Sequence, residues 1–532
     1  MKQCLFRVGC AALSVSLAAG LFTSCAILPK PTAPVSHPEQ DTPKDYDAAA
    51  LNDGQLRILY NDAETGGNVI FCGDTILRQS PANETSFLLT DAQTGETNYY
   101  FCSWADNETA SRRRCGLFDK TGKEILTFDR EYDAALSGGF LILTTSPGFA
   151  YSPVHSHAAG DVRVFEVATG EELPVPENAY SCVAAGDRLA FGIYAPGDAT
   201  PDEENEDLME YSAVQVREKD GTVVYQNPCA VVAAVNSSYG SVSTDWVELD
   251  RYSSGYELEE ASLLNVVTGE ERSGLVRYTG TGTACFQSDD GTYQLVDFVS
   301  DSASTVLREF DQTVINYIPG AVILRDDAGN NSFYDLNTGE TKELLDTATG
   351  SATLAFYAAD GTLRVYDSRT GAVLSENTIE PVENLQRTFL TSDGDGWAWL
   401  RQYDNDDYTI TTCTVCGPNG TVKQMDPVEL EEKYKNWLSP LLVNENGIYF
   451  SACYEGPNNR YLYDVLDSDG NVVLSGLASC TGYYSTSSNS LPDGVFAARK
   501  GFRYGWMKLD GSWVYCQSIF TSTGEDDYDE IY

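Results

Sequence analysis

Three histidines, His37, His155 and His157, are all that this chain has for imidazole chemistry. Any Ser-His-Asp or Cys-His arrangement in its body would have to use Ser152-Pro153-Val154-His155-Ser156-His157. On an extended strand the two imidazoles of His-x-His share a face and would offer two metal ligands. Gly148, Pro153 and Gly160 around them read as an exposed loop, so no function is assigned to the pair. Cys413-Thr414-Val415-Cys416 has the C-x-x-C spacing of zinc and redox sites. It lacks a second pair, and in a Thr-rich strand pattern positions i and i+3 point to opposite faces, which makes both thiols structural. Asp393-Gly394-Asp395-Gly396 and Asp404-Asn405-Asp406-Asp407 gather carboxylates as a hard-cation site would. Neither completes a calcium loop with a downstream Glu, and Asp467-Ser468-Asp469-Gly470 has Val465 at the first ligand position. No catalytic residue, metal or cofactor follows from these patterns.

The elements around these residues repeat. Asp119-Lys120-Thr121-Gly122, Ala168-Thr169-Gly170, Lys219-Asp220-Gly221 and Val267-Thr268-Gly269 each separate two apolar, strand-like runs, with glycines 48, 51 and 48 residues apart. A second train runs through Gly371, Gly420, Gly470 and Gly511 in steps of 49, 50 and 41. A fixed period of this size is the signature of a repeat architecture. Runs such as Val162 to Val167, Tyr211 to Val216, Leu354 to Tyr357, Leu363 to Tyr366 and Val472 to Leu474 are rich in β-branched and aromatic residues, the pattern of strands joined by hairpins. Two hairpins per unit, as Gly269 to Gly291 and Gly339 to Gly361 suggest, make four strands, the content of one β-propeller blade. The predicted fold is therefore all-β. Dividing the body by the period gives about ten units, above the usual four to eight blades. Assigning the surplus hairpins to insertions predicts one propeller of about seven or eight four-stranded blades, the alternative being two smaller propellers in tandem. One helix is expected from Asp426 to Trp437, with Asp426 as N-cap and Pro427 in the first turn, as a decoration between blades.

Gly116-Leu117-Phe118-Asp119-Lys120-Thr121-Gly122 with Glu131-Tyr132-Asp133 resembles the WG repeat of bacterial surface proteins, and so does Tyr504-Gly505-Trp506 through Gly511 to Val514. That resemblance implies a Gly-aromatic strand, a tight Asp/Gly turn and a returning strand, with no common active site. Val365-Tyr366-Asp367 through Gly371 to Leu374 is similar to blades of PQQ-like propellers. Ser392, Gly396 and Trp399 fall in the frame of the sialidase Asp-box, with Gly394 where the aspartate belongs; that box is a folding turn.

At the start, Lys2 and Arg7 precede an apolar run from Val8 to Phe22 that is short for a membrane span. Phe22-Thr23-Ser24-Cys25 resembles the bacterial lipobox, which implies a signal peptide over 1–24 and lipid on Cys25. Residues 25–50, with Pro29, Pro31, Pro34, Pro38 and Pro43, read as a semi-extended tether, 51–520 as the repeat domain and 521–532 as an acidic tail. The alternative is an ordinary secretory signal cut nearby. The chain carries 34 Lys and Arg against 79 Asp and Glu, a field that repels nucleic acid and anionic lipid. Arg112-Arg113-Arg114 is the one basic cluster, read as a solvated loop or as a partner for acidic groups of the same chain. A 42% share of hydrophobic residues supplies ample core, so the acidity is a solubility feature of a folded protein. With Cys4, Cys10 and Cys25 set aside, eleven of fourteen cysteines remain, an odd number that cannot all pair internally.

These readings converge on a non-catalytic, lipid-anchored binding or scaffold protein of the bacterial cell envelope. It would lie outside the cytoplasmic membrane and meet an envelope protein or a glycan, with no nucleic-acid partner and with lipid as its sole tie to the membrane. The alternative is a secreted glycan-active enzyme, a hydrolase or lyase on a propeller fold, marked by an axial pocket with two carboxylates about 5–9.5 Å apart.

Overall fold

The computed structural model describes residues 47–60, 68–80, 84–105, 113–145, 162–177, 179–194, 211–227, 231–233, 245–252, 258–278, 283–297, 305–350, 353–368, 370–380, 387–392, 395–403, 410–435, 438–457, 460–481, 491–501 and 503–518. The strands fall where the β-branched and aromatic runs predict them: Arg163–Glu166, Tyr211–Arg217, Thr353–Ala358, Thr362–Asp367 and Val472–Leu477 are all strands. Every glycine of the two repeat trains has positive φ, between 71° and 88°, as a tight hairpin turn requires.

The described strands form antiparallel sheets of sequential hairpins. The first sheet has three strands, β1 (Leu56–Leu59), β2 (Val69–Cys72) and β3 (Thr75–Gln79). Eight others have four, and one has seven. The seven-stranded sheet is two four-stranded units that share one strand. The first part of Thr341–Thr349 pairs with Asn331–Asp335, and after a bulge between Leu344 and Asp346 the rest pairs with Thr353–Ala358. The fold is the expected all-β propeller type, but the expected number of blades is corrected. The hairpins assigned to insertions are sheets in their own right, because each has its own apolar face to bury.

Eleven buried clusters hold these units together, each between units adjacent in sequence except for the one that closes the series. In that cluster Leu59, Val69 and Phe71 of the first sheet pack on Trp506, Val514 and Tyr515 of the last. The Phe71 ring lies 4.8 Å from Trp506 and 4.9 Å from Tyr515, contacts worth about 0.5–1.5 kcal/mol each beyond the area they bury. The Tyr504 hydroxyl also donates to the Tyr60 carbonyl at 2.6 Å. Two tandem rings would each need a closure of this kind within its own half, and the described clusters contain one closure, between first and last sheets. Closing the series limits exposed sheet edges, a general hazard of strand-rich proteins.

Ahead of β1, Ala48–Leu51 forms a short 3-10 helix against the last strand, with Asp47 N–H donating to the Trp513 carbonyl at 3.0 Å. Asp53 grips the buried Arg57 side chain of β1 through two hydrogen bonds of 2.8 and 2.5 Å. The Arg57 hydrogen bond holds the Asp53 carboxyl at about 2, against an ordinary 3.8. A depressed folded pKa stabilises the fold above the unfolded value and ceases to do so as pH falls through the folded one. Asp53→Asn should therefore flatten the acid limb of a stability-versus-pH curve between about pH 4 and 2, leaving its neutral-to-alkaline shape unchanged; thermal midpoints across that range read it out.

Candidate binding surface

Hairpin parity gives every sheet two ends. Turns after the first and third strands lie at one end, and turns after the second strand, with the crossings to the next sheet, lie at the other. The first end carries the repeated Asp/Gly turns, and their geometry shows what those acids do. Asp119 accepts from the backbone N–H groups of Thr121 and Lys123, and Asp467 from those of Asp469 and Asn471. Asp91 accepts from Gln93 and Thr94 in its own turn and, across to the next sheet, from Gly138 and Gly139. These carboxylates serve as turn locks. Of the calcium candidates, Asp467 is such a lock and Asp469 pairs with Lys423 at 3.1 Å. Asp395 is exposed, while Asp393, Gly394 and 404–407 lie outside the described residues. Among the described residues no group of three His, Cys, Asp or Glu is placed to hold a metal.

His37, His155, His157, Arg112 and Cys25 also lie outside the described residues. Arg113 is placed as an internal partner, 3.1 Å from Glu131. Cys413 and Cys416 point to opposite faces of Ile410–Gly417, as strand alternation predicts, and pack in different clusters. Burial pushes the first thiol up to about 11 and the second to about 12. Trp399, from the Asp-box-like stretch, is a core residue whose indole N–H donates to Cys413 Sγ at 3.0 Å.

Three buried carboxylates form networks that the sequence patterns do not mark. Glu84 accepts from Arg78 at 2.5 and 2.9 Å and from Ser80 at 2.6 Å, while the Arg78 guanidinium lies over the Trp104 and Phe118 rings. Asp335 accepts from Arg364 and from the Tyr366 hydroxyl, both at 2.6 Å, and from the N–H groups of Asn337 and Thr338. Burial acts to raise both carboxyls, and their donors outweigh it, leaving each below the ordinary range. The third, Asp464, is 1% exposed and accepts from Lys433 Nζ at 2.8 Å and the Tyr434 hydroxyl at 2.9 Å.

That third network holds the helix. α1 (Pro427–Tyr434) lies between the strands Thr421–Met425 and Leu438–Asn444, where the sequence places a decoration. Asp426 caps it by accepting from Val428 N–H at 2.8 Å, and Lys435, in the left-handed region at φ 48°, ends it. Leu430 and Tyr434 bury its inner face beside Trp399 and Phe450. Lys433 Nζ sits 4.9 and 5.4 Å from the Tyr434 and Tyr454 ring centres. Burial works against its charge, but the bond to Asp464 wins and the ammonium stays protonated above the usual lysine range. The Tyr434 phenol is pushed up to about 12, chiefly by burial. Neither group is poised for proton transfer near neutrality, so the cluster acts as a clamp.

The clamp ties α1 to the strand Tyr461–Leu466, and each of the two elements carries an exposed apolar side chain. Val428 on α1 is 63% exposed and Tyr461 is 55% exposed, the two highest values for large apolar side chains among the described residues. Tyr461 lies opposite Glu455 in the sheet, and Lys435, just past α1, reaches Glu455 at 4.0 Å. An aliphatic and an aromatic anchor rimmed by charges is the composition of a protein contact surface.

The architecture defines an all-β protein of the propeller class. Residues 258–527 match the family described as Domain of unknown function (DUF5046), and the chain belongs to it. No curated protein matches the chain. Among solved structures it is similar to BamB from Moraxella catarrhalis (14% identity, 73% of this chain and 95% of that one, TM-score 0.22). It is also similar to apo AztD from Citrobacter koseri (12%, 61% and 95%, TM-score 0.26). A eukaryotic initiation factor gives 10% identity over 68% of this chain and 93% of that one, with a TM-score of 0.31. The class assignment rests on the sheets themselves. Among the described residues no helix is long and apolar enough to cross a membrane.

Proposed function

We propose that this protein is a non-catalytic binding or scaffold protein of the bacterial cell envelope, carried outside the cytoplasmic membrane by lipid on Cys25 and a Pro-rich tether over 25–50. The observation that carries the binding role is the exposure of Val428 on α1 and of Tyr461 on Tyr461–Leu466, the strand whose Asp464 clamps α1. Holding a helix rigid on a buried Lys-Asp-Tyr network prepares a contact surface in advance and lowers the entropy cost of association. An envelope protein with an apolar recess and a basic rim suits this corner and the acidity of the chain. The buried carboxylates Glu84, Asp335 and Asp464 each accept from a cation and a hydroxyl. Such pairing suits structural ties; a glycosidase acid needs a carboxyl raised by its surroundings.

Two measurements test the reading. Cells given a labelled fatty acid should label the wild-type chain, and Cys25→Ala should abolish the label. A photo-crosslinking residue at the exposed position 432 should join the chain to one envelope protein, and Val428→Asp combined with Tyr461→Ala in the same chain should remove that product without lowering the thermal midpoint. An unlabelled wild-type chain overturns the anchor, and crosslinking indifferent to the double substitution overturns the surface.

A further inference from the structure

Two asparagines stand directly before a glycine, in Asn419-Gly420 and Asn446-Gly447. The pair is chemically vulnerable, because no side chain on the glycine shields its backbone nitrogen from the asparagine amide. Both asparagines are exposed and both lie in turns between antiparallel strands. Their surroundings differ. Asn419 sits in the Pro418–Gly420 turn between Ile410–Gly417 and Thr421–Met425, at φ 60° and ψ 28°. Its side-chain amide bonds to no described residue. Gly420 is exposed, and a Cβ built on it would meet nothing within 4 Å. Asn446 is held instead. Its N–H donates to Asn444 Oδ1 at 2.8 Å and its carbonyl accepts from Lys423 Nζ at 3.3 Å. Gly447 is buried and paired with Asn444 in the ladder, and a Cβ on it would strike Ser468 Oγ. The Asp-Gly turns are protected in another way. Asp220, Asp290, Asp360 and Asp510 accept from the N–H groups of Thr222, Thr292, Thr362 and Ser512 at 2.8–3.0 Å. Hydrogen bonds from those residues hold each carboxyl below its ordinary range, and an ionised carboxylate resists attack by an amide nitrogen.

We propose that Asn419 is a site of spontaneous deamidation in the folded protein, and that the fold protects Asn446 from the same reaction. The Gly420 amide nitrogen gives up its proton and bonds to Asn419 Cγ. The Cγ–Nδ2 bond breaks, and that nitrogen leaves with the proton as ammonia. Water then opens the succinimide at either carbonyl, which gives aspartate in the ordinary linkage or isoaspartate, whose backbone runs through Cγ. Both products place a negative charge in the turn. Isoaspartate also lengthens the backbone between Gly417 and Thr421, the pair that closes the ladder of these two strands. The turn can accommodate the ring, because Asn419 and Gly420 stand outside the ladder and are exposed. Water is the sole co-reactant, so the modified fraction rises with the age of the molecule. This inference is independent of the proposed binding role.

Incubation of the full chain in mildly alkaline buffer, sampled over days and followed by peptide mapping with mass spectrometry, tests the proposal. The mass change of deamidation should accumulate at Asn419 at least about tenfold faster than at Asn446, whose hairpin must open before the Gly447 nitrogen is released. Electron-transfer fragmentation should find both aspartate and isoaspartate at position 419. In urea the two rates should converge, since an unfolded chain offers both pairs alike. Asn419→Gln should remove the fast product and leave the rate at Asn446 unchanged. Equal rates in the folded chain, or faster loss at Asn446, overturn the inference, and so does a difference that persists in urea.

Discussion

Asp335→Ala should lower the unfolding free energy by roughly 3–5 kcal/mol, the cost of removing one partner from a buried ion pair. Arg364 is left behind almost without solvent, its Nη1 having lost an oxygen at 2.6 Å. The turn that follows loses its lock as well, since the same carboxylate accepts from Asn337 and Thr338 N–H. Glu376, still 2.6 Å from Arg364 Nη2, limits the loss but is itself half-exposed and screened. Tyr366→Phe removes one of the donors and should cost about 1 kcal/mol, which separates the ion pair from the hydrogen bond. Urea denaturation followed by far-UV circular dichroism checks both. The pH dependence has a definite sign. The folded carboxyl lies below its ordinary range, so its stabilisation is present above the unfolded pKa and is lost as pH falls through the folded one. The gap between wild type and Asp335→Ala should therefore narrow in acid. A gap of under about 1 kcal/mol at neutral pH would show that the network is dispensable.

Gly505→Ala should be nearly as damaging, at roughly 2–3 kcal/mol, although it adds a single methyl. Gly505 lies opposite Cys516, and a Cβ on it would land on the Tyr515 carbonyl oxygen, backbone that cannot turn aside. Relief requires the strands Arg503–Lys508 and Trp513–Ser518 to separate, which displaces Trp506 and Tyr515 from Phe71 at the closure of the series. The Gly-Trp pair thus acts as a unit: the glycine admits a neighbouring strand closely, and the indole fills the seam between first and last sheets. Tryptophan fluorescence should shift to the red before global unfolding in this variant. Val472→Ala, on an exposed outer strand, should stay within about 0.5 kcal/mol of wild type. Equal effects from the two substitutions would remove the special role of Gly505.

The sequence and the structure part company in an orderly way. The turn at Asp119 to Gly122 is legible because its hydrogen bonds span at most four residues and its glycine needs positive φ. The helix at 427–434 is legible for the same reason, its cap and proline being neighbours in the chain. It stops at Lys435, short of Trp437, where the backbone turns left-handed. The 32-residue step from Gly339 to Gly371 breaks the period, and the cause is visible only in three dimensions. Thr341–Thr349 serves two units through a bulge, so the loop that elsewhere returns the chain to the inside is absent. The fourfold hairpin rhythm was readable; the number of sheets was not, because nothing local distinguishes a hairpin that decorates a sheet from one that founds its own.

By itself the sequence determined the all-β class, the positions of strands and tight turns, the helix at 427–434 and the structural roles of Cys413 and Cys416. All of these are set by contacts within a few residues and by the alternation of side chains along a strand. Tertiary structure alone decided which acids matter. Asp335 meets Arg364 across 29 residues and Asp464 meets Lys433 across 31, in a chain with 79 acids to choose from. It also decided that Trp506 closes on Phe71. Those facts depend on burial and on which sheets become neighbours, and a side chain's electrostatic and packing partners are chosen by proximity in space, which separation along the chain does not encode.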